Sequence, residues 1–221
     1  MIVNPIKAKS SQATAFSLIE LLVVVAIITV IFALITPAVV PLLRASNINQ
    51  SASMLVDELT LARQTALTQN RDVEVRFYQV PSKSDPSDVQ FRAFRSFLPN
   101  AQNAAAAQPL SAVRYLPEPV IISADARFST LLDYGGIGGQ RAGLMKGQET
   151  LPAGNGPSTY ISFLFRSTGG TNLTPVDPPD GKWFLTLYLE NAPKNATTGI
   201  PDNYFTALVE PITGRVRTFR P

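Results

Sequence analysis

The 221-residue chain contains no histidine, no cysteine and a single tryptophan. Without histidine there is no imidazole base, no Ser-His-Asp or Cys-His arrangement and no His-bearing zinc site. Without cysteine there is no thiolate nucleophile, disulfide or iron–sulfur ligand. Catalysis would have to rest on carboxylates, lysine, serine or tyrosine, so neither an enzyme nor a bound cofactor is expected. The missing cysteine leaves the compartment open, because a larger secreted domain can do without disulfides. Charge is also scarce, at 16% of residues with a formal net charge of +3. The length allows one domain with an appendage and enough chain to bury a core.

What the chain has is unevenly placed. From Leu21 to Val40 it reads LLVVVAIITVIFALITPAVV, with no charged residue. At the rise of an α-helix, about twenty residues span roughly 30 Å, the thickness of a bilayer's hydrocarbon core. A helix buried in so small a domain would carry a polar stripe, and this run has none. A membrane span over 21–43 is therefore expected. The preceding segment, residues 1–15, holds Lys7 and Lys9 and no acid, which keeps that end in the cytoplasm. A secretory signal peptide would place small residues after a shorter apolar region. Here Ala13-Thr14-Ala15 come before the run instead.

Glu20 stands at the entrance to the apolar run. A carboxylate at the centre of a membrane helix costs roughly 2.5–3.5 kcal/mol on insertion scales, a cost that fades at the membrane edge. Ala15-Phe16-Ser17-Leu18-Ile19-Glu20-Leu21-Leu22-Val23-Val24 resembles the N-terminal signature of type IV prepilins and type II secretion pseudopilins. The resemblance implies cleavage by a prepilin peptidase between Ala15 and Phe16, with methylation of the new Phe16 amine. That family usually has glycine before the cut, where this chain has Ala15. It also implies that Glu20 pairs with the amine of a neighbouring subunit during assembly. An unpaired buried charge is far costlier than a paired one, so such a pair selects the axial register of packing helices. Partners implied by the resemblance are other pilin or pseudopilin subunits, the inner-membrane assembly machinery and membrane lipid. The implied location is the inner membrane of a two-membrane bacterium, with the C-terminal domain in the periplasm.

Beyond the run, Pro41 and Arg44 mark the exit and Ser46 a helix restart. Ile48, Ala52, Leu55, Leu59, Ala62 and Ala66 recur at spacings of four and three, an amphipathic stripe ending near the capping residue Asn70. One helix over 16–70 would be about 80 Å long, kinked or unwound at Pro37 and Pro41. From Asp72 the apolar period becomes two, and strands are expected at 73–77, 89–93, 120–123, 160–166, 183–190, 204–209 and 215–219. Thr213-Gly214 supplies the turn of a terminal hairpin. A helix followed by antiparallel strands gives an α+β fold, with the helix covering one face of a β domain over 71–221. Segments 82–87, 100–109 and 135–157 read as loops, the second a loop or short helix and the third Gly-rich and mobile. The ELTLARQTALTQNRDVEVRF stretch and the closing TGRVR resemble H-type pseudopilins and related minor pilins. Length and the Gly/Pro-rich middle also resemble Verru_Chthon cassette protein D.

Gly135-Gly136-Ile137-Gly138-Gly139 lacks the Lys-Ser/Thr ending of a phosphate loop, and the dinucleotide spacing fails at Arg141. Asp177, Asp180 and Asp202 lie in turn-rich stretches and match no calcium loop, so no metal site is expected. Trp183 reads as core. Arg215 and Arg217 would share one strand face, with Arg220 close behind, and certain minor pilins of DNA uptake resemble this Gly-Arg-x-Arg ending. DNA binding by Arg215, Arg217 and Arg220 is the alternative function. Removing Lys7 and Lys9 leaves 17 bases against 16 acids, a mature side-chain total of +1, so steering toward DNA would depend on local clustering.

Overall fold

The computed structural model describes residues 17–100, 107–135, 140–152, 156–178 and 180–221, with 34–44 described by backbone alone. Ser17 caps the first element. Its carbonyl accepts from the N–H groups of Glu20 (3.1 Å) and Leu21 (3.2 Å), and its Oγ accepts from the Glu20 N–H at 3.3 Å. The helix α1 accordingly spans Leu18–Gln69, starting two residues after the expected Phe16, which lies outside the described residues. The helical backbone continues across Pro37, Pro41 and Ser46, so the expected unwinding and restart do not occur. A proline removes one donor and leaves the bonds of neighbouring turns in place. At the other end Asn70 adopts φ 51°, and the Arg71 N–H reaches back to the Ala66 carbonyl at 3.3 Å. That pair is the left-handed stop by which many helices end.

The chain divides into two compact units, Met1–Leu43 and Arg44–Pro221. In the first, every described side chain from 17 to 33 is exposed. Among the described residues no helix is long and apolar enough to cross a membrane. The described apolar side chains stop at Ala33, about 22 Å after Leu18 at helical rise, which is shorter than a bilayer core. The span expected over 21–43 therefore lies partly outside the described side chains.

In the second unit the strands are β1 (Val73–Pro81), β2 (Val89–Leu98), β3 (Gln108–Pro109), β4 (Arg114–Tyr115), β5 (Val120–Ile122), β6 (Met145–Thr150), β7 (Pro157–Phe165), β8 (Trp183–Leu189), β9 (Tyr204–Val209) and β10 (Val216–Phe219). They form one antiparallel sheet in the order β10-β9-β8-β5-β2-β1-β7-β6, with β3 and β4 also pairing with β2. The helical stripe is buried as expected: Ile48, Leu55, Leu59, Ala62 and Ala66 have no exposed surface. It packs in one cluster with Val73, Val75 and Phe77 of β1 and with the inner residues of β2, β5, β7, β8 and β9. Phe77 and Phe163 stack at 6.4 Å, and Phe163 meets Phe165 edge-on at 5.1 Å. Trp183 is fully buried in this core, its indole N–H satisfied by the Thr174 carbonyl at 2.8 Å. The terminal hairpin forms with Gly214 at φ +63° in its turn.

Two loop expectations are corrected. Residues 145–150, inside the segment read as mobile, form β6 and pair with β7 from Met145↔Ser162 to Thr150↔Pro157. Gly147 permits this pairing: a Cβ there would lie 2.5 Å from the Tyr160 hydroxyl. The glycine makes room for a neighbouring ring and does not mark a loop. At 100–109, Gln108–Pro109 is a short strand on β2, while 101–106 lie outside the described residues. So do Gly136 to Gly139 of the glycine run.

Candidate assembly site and C-terminal basic strand

Ser17 and Glu20 stand three apart at the head of α1, the spacing of a capping box. Glu20 is exposed in the first turn, where its charge is favoured by the helix dipole. That local role was readable from Ser-x-x-Glu, but the sequence pointed first to Glu20 as the acid at the head of the apolar run and as an assembly residue. Beyond Glu20 the polar atom of Thr29 is satisfied internally, its hydroxyl donating to the Val25 carbonyl at 2.7 Å. The exposed surface is otherwise aliphatic and aromatic, with Leu18 83% and Phe32 65% exposed. Such a contiguous apolar surface is costly to leave in water. Ala15 and Phe16, the cleavage and methylation residues implied by the resemblance, lie outside the described residues.

A second glutamate on the same helix went unremarked in the sequence. Glu58 is fully buried, accepting from the Ser111 hydroxyl at 2.5 Å and from Arg114 Nε at 3.0 Å. Its position three after Leu55 placed it beside the buried stripe, so the signal was present.

The outer face of the sheet carries a further buried network. Arg76 contacts Glu74 at 2.7 Å and Glu149 at 2.9 Å. The Ser162 hydroxyl donates to Glu74 at 2.7 Å, and the Tyr78 hydroxyl donates to Glu149 at 2.7 Å. Arg76 also lies over the rings of Phe97 (4.1 Å) and Tyr160 (4.6 Å). Burial opposes its charge, yet the two carboxylates leave it more basic than a free guanidinium. Burial pushes the Tyr78 hydroxyl well above its ordinary value, and Glu149 adds to that shift. These contacts join β6 to β1 across β7.

The C-terminal arginines divide. Arg215 and Arg217 are exposed at and on β10, an edge strand, and alternation puts them on one face. Arg220 instead donates to the side-chain carbonyls of Asn49 at 2.5 Å and Asn203 at 3.3 Å, which ties the chain end to α1. Asp177 pairs with Arg141, and Asp202 accepts from Asn195 at 2.8 Å. Among the described residues no group of three or more side chains could hold a metal ion.

No protein-family model and no curated protein matches the sequence. Two solved structures resemble the chain. One is the minor pseudopilin EpsH from the type 2 secretion system of Vibrio cholerae, 11% identical, with 79% of this chain and 98% of that chain covered and a TM-score of 0.41. The other is the type IV minor pilin FimU of Pseudomonas aeruginosa, 14% identical, with 80% and 93% covered and a TM-score of 0.38.

Proposed function

We propose that the chain is a prepilin-like structural subunit that assembles into a type II secretion pseudopilus or a type IV pilus. Residues 1–15 serve as a cytoplasmic leader, removed between Ala15 and Phe16 by a prepilin peptidase that also methylates the new amine. The observation that carries this reading is the makeup of α1. A capped, acid-bearing entry precedes a stretch apolar on every side, and the same helix ends in a stripe that covers an antiparallel sheet. The apolar part, continued to residue 43, holds the subunit in the inner membrane, with the domain over 71–221 in the periplasm.

In this reading Glu20 meets the Phe16 amine of a neighbouring subunit. Cleavage creates the cation, and the apolar surroundings make leaving either charge unpaired expensive. The pair therefore sets the register between subunits and takes no part in catalysis. Mass spectrometry of the protein from its host should find N-methylated Phe16 as the first residue. Glu20→Ala should enter the membrane normally and fail to join filaments. A mature protein retaining Met1 through Ala15, or normal incorporation of the variant, overturns the reading.

The alternative, a DNA-binding minor pilin, rests on Arg215 and Arg217, since Arg220 is engaged by two asparagines. Two phosphate contacts would give weak, strongly salt-dependent affinity. A mobility shift at low salt that survives Arg215→Ala together with Arg217→Ala would remove these residues from that role.

A further inference from the structure

The Arg44–Pro221 unit has ends of opposite charge. Where α1 stops, two turns meet the helix. Arg63 Nε donates to the Thr213 carbonyl at 3.0 Å. The Gly169 N–H donates to the Arg166 carbonyl at 2.9 Å, and a Cβ on Gly214 would lie 2.4 Å from the Gly169 carbonyl oxygen. That close backbone approach, which glycine allows, brings Arg63, Arg166 and Arg215 to one end. Exposed Arg71 follows the helix stop at the same end. None of the four has an ion pair among the described residues. The acids there are Asp72, which accepts from the Ser167 N–H at 3.0 Å, and Glu210, which accepts from the Thr213 hydroxyl at 2.7 Å. Four arginines against two carboxylates leave this end with a charge of +2.

The other end begins at Asn47, roughly 24 Å before Arg63 at helical rise. Asn47 donates to the Glu118 carbonyl at 3.2 Å, and the Glu118 carboxylate accepts from the Lys83 N–H at 2.7 Å. These bonds draw the turn over 82–88 to this end. Asp88 and Glu190 share the buried Arg92, which leaves one negative charge over. Asp85 and Glu118 have no ion pair among the described residues. Lys83 offsets one of them, so the balance here is −2. Each end also exposes apolar side chains. Leu67 is 43% and Ile212 73% exposed at the basic end, and Val89 is 48% and Tyr115 39% exposed at the acidic end. Val89 and Tyr115 line one cleft with Lys83 and Glu118.

We infer that the acidic end of one copy of this chain docks on the basic end of a second copy. Like charges gathered at one end repel one another, and an opposite patch of equal magnitude on an identical chain relieves both ends at once. Apolar side chains among rim charges are the ordinary makeup of a protein–protein interface. The two surfaces differ, so the contact is heterologous. Each added copy leaves one free end of each sign, and the series extends copy by copy as a filament requires. The inference rests on the assembly reading and deepens it, adding a contact between globular units to the pairing proposed at Glu20.

The chain has no cysteine, so introduced thiols report the contact. Thr168→Cys and Pro86→Cys stand at exposed, uncharged positions in the basic-end and acidic-end turns. Filaments sheared from host cells making both full-length variants should yield a dimer with a bismaleimide linker, and cells making either variant alone should yield little. This arm leaves every charge in place. Arg215→Glu added to the Thr168→Cys chain should cut the yield about two- to fivefold, the worth of an exposed ion pair. Asp85→Lys added to the Pro86→Cys chain should restore it. If both variants are in the filaments and no dimer forms, if either variant alone gives an equal dimer, or if the charge reversals change nothing, the contact is overturned and the assembly reading stands. If neither variant enters filaments, the assembly reading is overturned and this contact with it.

Discussion

Glu20 and Glu58 lie on one helix and meet opposite surroundings. Glu20 is exposed at the first turn, among side chains that are themselves exposed. Glu58 is fully buried and held by Ser111 and Arg114. The side chains around them differ in pattern. Apart from Glu20 and Thr29, residues 18–33 are apolar on every side, whereas 48–66 are apolar along one stripe. A one-sided stripe can be satisfied by the chain's own sheet. An all-round apolar surface cannot, and in the proposed reading it is covered by lipid and by other subunits. The same distinction separates the two carboxylates: Glu58 has its partners within the fold, and the proposed partner of Glu20 belongs to another subunit.

The largest expected effect tests the stripes. Leu59→Ala should lower the unfolding free energy of the 44–221 unit by about 2–5 kcal/mol, through lost burial and the cavity left behind. Leu22→Ala should change it by less than about 0.5 kcal/mol. Trp183, the one tryptophan and fully buried, reports this unfolding by its fluorescence. Similar losses in both variants would erase the contrast.

The glutamates come next. Glu58→Ala should cost about 1–3 kcal/mol, because Ser111 loses a charged acceptor and half-exposed Arg114 loses its carboxylate. Glu20→Ala should leave unfolding of this unit unchanged while blocking filament incorporation. If Glu20→Ala destabilised the unit as much as Glu58→Ala does, its role would be internal, and the intermolecular pairing would have to be abandoned.

A third carboxylate, Glu149, extends the comparison to the outer face. Tyr78→Phe should cost about 1 kcal/mol by removing its hydrogen bond to Glu149. The fold raises the Tyr78 pKa. Its contribution is therefore complete below the ordinary tyrosine value near 10 and is lost as pH rises toward the folded value. Unfolding measured between about pH 9 and 11 should lose part of its alkaline slope in Tyr78→Phe. The part left behind belongs to Tyr160 and Tyr188, whose pKa values burial also raises. An unchanged slope would mean that Tyr78 ionises as freely in the fold as in water.

What could be read beforehand follows the range of each interaction. The stripe from Ile48 to Ala66 and the alternation of Val73, Val75 and Phe77 in β1 are local periodicities that recur in the structure. In β2 the alternation breaks at the bulge at Arg92, so that Phe91 joins the core under the helix and Ala93 a separate cluster. The stop at Asn70 was legible because a side chain tolerant of positive φ followed the last stripe residue. Arg76 and Glu149 are far apart in sequence, and nothing near either one names the other. β6 was hidden by Gly147, a residue that marks loops in general but here gives way to the Tyr160 ring. The early end of the β1–β7 ladder needed a register: Pro81 and Pro157 acquire meaning only once Val73 is known to face Phe165. For the proposed assembly residues the sequence went further than the structure, because Ala15 and Phe16 lie outside the described residues and the Glu20 carboxylate has no ion pair among the described residues.

Asn70 gives the smallest effect and tests how firmly the docked half of α1 is bounded. Its φ of 51° is a conformation that glycine adopts freely and a Cβ disfavours. Asn70→Ala should cost about 0.5–1 kcal/mol, whereas Asn70→Gly should stay within about 0.5 kcal/mol of the parent. Because β1 begins at Val73, just past this stop, longer helix there would compete with the first residues of the strand that the stripe covers. If Asn70→Ala instead left stability unchanged, the docked half of α1 would be held by its buried stripe alone, with the stop contributing nothing.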